Sequence, residues 1–289
     1  MRSLTAGLLA LTAASTAVIV IAVAPGATGV EPDTTPPVVQ MRADWIVGGQ
    51  LNTSTDDSRP NDCTDYSWVP TKISWTATDA GSGTGDYNMW DVTSAAAPHF
   101  LGWWSEAGDG DFDNPSFDGS FSDYDGDCGG GSLETDAYAV TAYDTVGNAT
   151  YKEVALFPTV VQENGRSATF GSNGVTIAFS GAWQTSTCAC ASWGRATFTT
   201  QLGATAAINV PSGISRVGLV MAKGPSRGQA DVLVDGARVS TIDTRAAANT
   251  NRIIVWTREL SAGAHVVRVK NLATVGRPRI DLDALLLGG

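Results

Sequence analysis

Apolar and polar residues alternate with a period of two along much of this chain. In the stretch 71–78, Ile73 and Trp75 lie on one face, and the stretch 136–144 alternates in the same way. This pattern is typical of β-strands with one buried face, because successive side chains of a strand point to opposite sides. After the first 30 residues we find no 3.6-residue period, and 32 glycines supply turns. The sequence therefore predicts an all-β fold of antiparallel β-sandwiches.

The N-terminus has the order of features of an export signal. Arg2 supplies a positive charge, the stretch from Leu4 to Ala24 contains no charged residue, and small residues follow at 26–29. A basic tip, an apolar segment and a small-residue site together predict a signal peptide over residues 1–29 and a secreted or cell-surface protein. The alternative is a retained membrane anchor, since about 20 apolar residues can span a bilayer.

The charge of the chain changes sign near its middle. Residues 30–158 contain 22 acidic and 4 basic residues, whereas residues 159–289 contain 7 acidic and 13 basic residues. Such asymmetry predicts two domains with these boundaries. The net charge of the whole chain is −11. An acidic protein lacks the basic face that neutralises phosphates, so nucleic acid is not an expected partner, and no segment beyond the leader predicts a membrane contact.

The first half carries residues that resemble a known domain. Ile73-Ser-Trp75-Thr-Ala-Thr-Asp79 and Tyr138-x-Val140-x-Ala142-x-Asp144-x-x-Gly147-Asn148 resemble a fibronectin type III or bacterial Ig-like domain over residues 36–157. The resemblance implies that Trp75 and Tyr138 are core residues. It also implies that the loops carrying Cys63 and Cys128 emerge at the same end of the sandwich, so that a disulfide joins them. An exported chain permits such bridges.

The second half resembles another type of module. Gly181-Ala-Trp183, Asp231-Val-Leu-Val-Asp-Gly236 and Gly276-Arg-Pro-Arg-Ile-Asp-Leu-Asp-Ala284 are similar to galactose-binding-like, carbohydrate-binding sandwiches of secreted bacterial proteins. The nine short strands expected here predict a jelly-roll-like sandwich. The resemblance implies polysaccharide or cell-surface glycan as ligand, with Trp183 and Trp193 stacking on sugar rings.

The same resemblance implies a structural calcium ion held by one acidic residue on the first strand and one on the last. Glu163 and Asp283 occupy those places. Asp281 and Asp283 are expected on one face of the last strand, because they are two residues apart. The alternative is ordinary surface pairing of these carboxylates with Arg268, Arg277 or Arg279.

Two further features raise questions of metal binding and of disulfides. Acidic residues at Asp123, Asp125, Asp127 and Glu134 have the carboxylate spacing of a calcium loop, although Cys128 stands where that loop requires glycine. The alternative is a solvated acidic loop without a metal. Cys188 and Cys190 are expected to form a local disulfide or to remain exposed thiols, since two further metal ligands cannot be found nearby.

Catalysis has little support in the sequence. The stretch Gly224-Pro-Ser226-Arg-Gly228 matches a nucleophile-elbow pattern, but that elbow requires a strand followed by a helix. Of the two histidines, His99 lies in an insertion and His265 has the position of a residue at the rim of a core. We therefore expect no enzyme but a secreted, non-catalytic protein that recognises carbohydrate or a cell surface. The alternatives are a structural or adhesive protein with a protein partner, and an uncharacterised hydrolase.

Overall fold

Strands with one buried face account for nearly all of the structure, a computed structural model that describes residues 31–55, 65–92, 98–105, 116–123, 137–155, 158–163 and 175–288. Within these residues the fold is all-β, as the alternation predicts, apart from the single 3-10 turn Ser192–Gly194. No helix among them is long and apolar enough to span a membrane. The leader lies outside the described residues, so export stays a prediction.

The described residues of the first half form eight strands in two four-stranded antiparallel sheets. They are β1 (Val38–Trp45), β2 (Asn52–Thr55), β3 (Asp65–Thr78), β4 (Thr84–Asp91), β5 (His99–Ser105), β6 (Ser116–Asp123), β7 (Ala137–Asp144) and β8 (Ala149–Ala155). In one sheet β3 pairs with β1, β2 and β6, and in the other the order is β5-β4-β7-β8. The core between them contains Trp75 and Tyr138, both buried as expected, and Trp75 meets Tyr87 edge-on at 6.1 Å between ring centroids.

In the second half, eleven strands lie within residues 158–163 and 175–288. They are β9 (Thr159–Gln162), β10 (Thr176–Ser180), β11 (Gln184–Thr187), β12 (Arg195–Thr199), β13 (Thr205–Val210), β14 (Arg216–Lys223), β15 (Gln229–Val234), β16 (Ala237–Asp243), β17 (Thr250–Glu259), β18 (His265–Asn271) and β19 (Ile280–Gly288). A five-stranded sheet has the order β10-β13-β18-β15-β16, and a six-stranded sheet has the order β11-β12-β19-β14-β17, with β9 also pairing with β19. Apolar residues of both sheets fill one core.

The hairpin between β15 and β16 turns at Asp235-Gly236, as the sequence predicts. Both residues have positive φ, 50° and 84°. A two-residue turn with this backbone is the tight hairpin that Asp-Gly favours. The turn fixes Asp235 beside the start of β18, because β15 and β18 are neighbouring antiparallel strands.

The pairing of the last strand, β19, with its neighbour β14 shifts register at Asp283. Val220 pairs with Ala284, whereas Met221 pairs with Leu282, so one residue of β19 is left over. Such a β-bulge interrupts the regular alternation of side chains. The expectation that Asp281 and Asp283 share one face because they are two residues apart therefore loses its basis, and the two carboxylates have different partners, as described below.

The two sandwiches meet at a shared apolar cluster around Trp45, the last residue of β1. The indole ring packs against Gly218 and Gly288, where an added Cβ would come within 3.3 Å and 3.1 Å of ring carbons. Beside this contact, residues 48–51 extend the six-stranded sheet at β17: Gly48 N–H donates to the Ile254 carbonyl at 2.7 Å.

Candidate functional site

His265 begins β18 on the face that buries Val267 and Val269, so its ring lies at the rim of the second core, as the alternation predicts. The ring nitrogen Nδ1 lies 2.7 Å from Oδ2 of Asp235, in the hairpin turn. The other oxygen of that carboxylate accepts a hydrogen bond from the Val266 backbone N–H at 2.9 Å. Two contacts thus hold the carboxylate against the imidazole, with Nδ1–H donating to it.

On its other side the imidazole faces Ser261, which lies in the turn between β17 and β18. Nε2 of His265 is 3.3 Å from the Ser261 hydroxyl oxygen and 3.0 Å from the Ser261 carbonyl oxygen. Ser261 is exposed to solvent. In the imidazolium form Nε2–H donates to the Ser261 carbonyl, whereas in the neutral form with its proton on Nδ1 the free Nε2 accepts from the Ser261 hydroxyl. In that neutral form hydroxyl, imidazole and carboxylate are connected in the order that acyl-transfer enzymes use for nucleophile, base and orienting acid.

The neighbouring groups shift the acid–base properties of this arrangement. The hydrogen bond with Asp235 and that to the Ser261 carbonyl raise the pKa of His265 above its usual 6.5. The Val266 N–H, followed by His265, holds the pKa of Asp235 below its usual range. Asp235 consequently remains ionised at neutral pH and stabilises the imidazolium that forms when His265 takes up a proton.

The sequence did not reveal these partners of His265. Ser261 and Asp235 lie in two different turns and His265 begins β18, so no local motif joins the three residues. The signal that does exist is topological: the Asp-Gly turn ends β15, and β18 begins beside it.

The G-x-S-x-G pattern has a different explanation. Its residues 224–228 connect β14 to β15, so no helix follows the strand. Ser226 accepts a hydrogen bond from the guanidinium of Arg227 at 3.0 Å. A Cβ at Gly228 would lie 2.1 Å from the carbonyl oxygen of Arg277, so close packing requires this glycine. This segment is therefore a loop between two strands and not a nucleophile elbow.

A second group of polar side chains is buried where β9 ends beside β19. Glu163 and Asp283 are 0% and 1% exposed. Asp283 accepts a hydrogen bond from the Ser192 backbone N–H at 2.8 Å, and Gln162 donates to the Ser192 hydroxyl at 3.1 Å. The two carboxylates and the amide therefore gather around the 3-10 turn.

Burial dominates the electrostatics of this group. It is the main reason why the pKa of Asp283 rises from 3.8 to about 7; the Ser192 N–H opposes this rise and the nearby Glu163 carboxylate adds to it. Burial also raises the pKa of Glu163, although Arg195 donates to its Oε1 at 2.5 Å. Glu163 Oε2 and Gln162 Oε1 have no hydrogen-bond partner among the described residues. Unsatisfied oxygens beside two buried carboxylates are the donor set that fits a calcium ion.

Asp281 does not join that group. It forms ion pairs with Arg227 and with Arg279, whose Nε lies 2.9 Å from Oδ1, and the Arg279 guanidinium stacks over Phe198 at 3.8 Å. Pairing with Arg279, a partner considered from the sequence, therefore holds for Asp281, although its carboxylate is buried and not at the surface. Arg277 pairs with Asp243 instead. Asp283 is buried as well, but its partners are those around the 3-10 turn.

The aromatic candidates are only partly described. Trp183 is half-buried against the second core, donates from Nε1 to the Ser180 carbonyl at 3.2 Å, and lies 5.0 Å from Phe179 between ring centroids. Phe179 is 37% exposed. Trp193 belongs to the 3-10 turn. Sugar stacking by either tryptophan stays a prediction.

The remaining sequence candidates can be placed as follows. Cys188 and Cys190 form a disulfide, with Cα atoms 5.0 Å apart, which confirms the first of the two expected alternatives. Asp123 ends β6. The rest of the predicted calcium loop and the predicted first disulfide lie outside the described residues: Asp125, Asp127, Glu134, Cys63 and Cys128.

No protein-family model and no curated protein matches the sequence. Among solved structures, the catalytic domain of a GH87 α-1,3-glucanase in complex with nigerose aligns at 13% identity over 45% of this chain and 28% of that chain, with a TM-score of 0.31. An exo-β-1,3-galactanase from Phanerochaete chrysosporium in complex with galactose aligns at 15% identity over 85% of this chain and 69% of that one, with a TM-score of 0.32. The chain thus spans little more than a quarter of the glucanase domain.

The expectation of a non-catalytic binding protein requires correction. It assumed that two stacked-sheet modules leave no room for a reaction centre and that neither histidine has catalytic partners. His265 does lie between a serine and a carboxylate. We therefore no longer hold the prediction that the chain is not an enzyme.

Proposed function

We propose that this protein is a secreted hydrolase that cleaves ester-linked acyl groups from polysaccharide. The observation that carries the proposal is the connected arrangement of Ser261, His265 and Asp235, with Nε2–Oγ at 3.3 Å and Nδ1–Oδ2 at 2.7 Å. A base within reach of a hydroxyl, and oriented in turn by a carboxylate, is the geometry that activates a serine. The export signal over residues 1–29 is part of the proposal.

In the first step the Ser261 oxygen attacks the acyl carbonyl and its proton passes to Nε2 of His265. The ester C–O bond breaks, and His265 gives that proton to the departing sugar oxygen, which leaves as an alcohol. Water then attacks the acyl-serine, again losing a proton to His265, and the acyl group leaves as a carboxylic acid while the proton returns to Ser261. Asp235 stays ionised throughout and stabilises the imidazolium. Nε2 must turn from the Ser261 carbonyl toward the hydroxyl for the first step.

The choice of polysaccharide rests on the second half of the chain. This half resembles carbohydrate-binding sandwiches, and it presents Phe179 beside Trp183 at the edge of the five-stranded sheet. Aromatic faces of this kind stack on sugar rings through apolar contact. In the proposal these rings hold the polymer, and the serine acts on its acyl substituents.

We further propose that Glu163, Asp283 and Gln162 hold a structural calcium ion. The support is the orphaned Glu163 Oε2 in a fully buried position next to a second carboxylate. A bound cation supplies the charge compensation that two buried carboxylates need. Because Asp283 also binds the Ser192 N–H, the ion would fix the 3-10 turn against β19.

The test of the hydrolase is labelling of the full chain with a fluorophosphonate, together with release of p-nitrophenol from p-nitrophenyl acetate. We expect labelling at Ser261 and its loss in Ser261→Ala. Ser226→Ala is the matched control, because Ser226 lies in the G-x-S-x-G pattern but outside the proposed site. Labelling of neither serine, or activity that survives in Ser261→Ala, would refute the proposal.

A further inference from the structure

A cleft of about 340 Å³ opens between the two sandwiches, beside Trp45. Its lining comes from β1 of the first sandwich and from β14 and β17 of the second: Arg42, Asp44, Trp45, Arg216, Thr257, Arg258 and Glu259. Small-molecule sites are concave spaces of roughly 300–1,000 Å³, so this cleft has the size of a site for one small unit.

Four of the lining side chains form a closed ring of alternating charges. Arg42 contacts Asp44 at 2.5 Å and Glu259 at 3.0 Å, and Arg216 contacts the same two carboxylates, each at 3.3 Å. Arg216 is held further by the Ala43 carbonyl at 2.5 Å. The ring is neutral as a whole and crosses the boundary between the sandwiches, which positions both walls of the cleft.

Arg258 remains outside this ring. It is exposed, lies on the wall of the cleft next to Thr257, and forms no ion pair with any side chain that the structure describes. The cleft therefore has a net positive charge in a protein whose net charge is −11. A guanidinium in such a place binds a planar carboxylate through two parallel hydrogen bonds.

We propose that this cleft binds a sugar acid, a uronate unit of a polysaccharide, with its carboxylate on Arg258. The remaining lining groups match the rest of such a ligand. The side chains of Asp44 and Glu259 are 40% and 61% exposed and accept hydrogen bonds from sugar hydroxyls while keeping their arginine partners. The hydroxyl of Thr257 adds a donor and an acceptor.

The location of the cleft relates this proposal to the reaction. Glu259 ends β17, and Ser261 follows two residues later, so their Cα atoms are no more than about 7 Å apart along the chain. A uronate held here brings the adjoining part of the polymer to the serine. The proposal rests on the proposed function for the choice of polymer, but its test measures binding and not turnover.

The experiment is calorimetric titration of the full chain with galacturonate oligosaccharides, and with neutral galactose oligosaccharides as the comparison ligand. We expect the acidic oligosaccharides to bind and the neutral ones to bind at least about tenfold more weakly, because one charge-assisted contact is lost. Binding of the acidic ligand should weaken at high salt.

Arg258→Ala should reduce affinity for the acidic ligand to that for the neutral one, and Arg258→Lys should restore part of it. Arg268→Ala is the matched control, because Arg268 is an exposed arginine on β18 outside the cleft. This variant should bind the acidic oligosaccharides with the affinity of the wild type. Equal affinity for acidic and neutral ligands, or equal losses in the two alanine variants, would overturn the proposal. Ser261→Ala should bind normally, which separates failure of this site from failure of the hydrolase.

Discussion

The guanidinium of Arg216 lies over the indole of Trp45, 5.7 Å from the ring centroid, and the two residues belong to different sandwiches. Trp45 is 4% exposed and packs on glycines of the second sandwich, while Arg216 also binds two carboxylates of the cleft. Apolar packing, a cation–π contact and ion pairs thus act at one point. The two halves are therefore joined by a specific contact in addition to the chain that connects them.

Replacing Trp45 should destabilise the protein strongly. Trp45→Ala removes a buried indole and leaves a cavity against Gly218 and Gly288, at a cost of about 3–5 kcal/mol. Trp45→Phe keeps part of the packing and should cost less. The measurement is unfolding in guanidinium chloride. If Trp45→Ala unfolds at the same denaturant concentration as the wild type, the indole does not carry the contact between the sandwiches.

Removing the charge of Asp235 should impair catalysis while the fold remains intact. Asp235→Asn keeps the size of the side chain but can no longer stabilise the imidazolium, so kcat on p-nitrophenyl acetate should fall at least about a hundredfold. Circular dichroism should show an unchanged fold. The control is Asp231→Asn on β15, the strand that leads into the turn, which should retain wild-type kcat. Unchanged kcat in Asp235→Asn would show that the contact with His265 serves structure alone.

The proposed reaction should depend on the ionisation of His265. A general base must be neutral to accept a proton, so the rate should be low in acid and rise as pH passes the raised pKa of His265. The hydrogen bond with the Asp235 carboxylate contributes most to the raised pKa of His265. Asp235→Asn replaces this carboxylate by a neutral amide, so the pKa of His265 should move down toward 6.5. NMR titration of the imidazole protons gives both values. A rate that falls with rising pH would contradict the role of His265 as base.

Without calcium, stability should decrease as pH rises from about 4 to about 7. The pKa of Asp283 is about 7 in the folded protein and near 3.9 in an unfolded chain, so in this range the folded state holds a proton that the unfolded state releases. The loss is at most about 4 kcal/mol. Thermal unfolding in chelator measures it. Asp283→Asn should reduce this slope and leave the smaller part that comes from the raised pKa of Glu163, whereas Asp243→Asn, at the surface, should retain the full slope.

Calcium should reverse this loss if the buried carboxylates hold the ion. Adding millimolar calcium at neutral pH should raise Tm by several degrees, because a ligand bound only by the folded state stabilises it. Glu163→Gln keeps the size of the side chain and removes the charge, and it should remove most of the increase. An unchanged Tm in calcium would rule out the site, whatever the result for the metal-free protein.

The alternation of residues sufficed for the fold class and for much of the core. Period-two patterns predict strands such as β3 and β7, and the Asp235-Gly236 pair predicts a hairpin turn, because these features depend on neighbours in sequence. Trp75 and Tyr138 were expected in the core from their resemblance to known domains, and both are buried. These predictions depend on local periodicity and turn chemistry.

The site residues were harder to predict because they depend on contacts between distant elements. Ser261 and Asp235 meet His265 only when two turns come together at one end of a sheet. Asp281 and Asp283 have different partners because of a β-bulge in β19. This bulge cannot be predicted from the sequence, since it depends on how the residues of β19 pair with those of β14. The cleft forms only where the two sandwiches contact each other. Trp45 makes that contact, but its place in the alternation of β1 is that of any buried strand residue, so the sequence does not predict the contact.

The pairing of residues 48–51 with β17 has a practical consequence for dissecting the protein. A truncated chain that begins at residue 159 would leave β17 as an open sheet edge and would expose the apolar side chains of Val220, Ile254 and Leu286 that now face the first sandwich. Open edges beside apolar patches promote aggregation. The second half should therefore be soluble and monomeric only in the company of β1 and the segment that follows it.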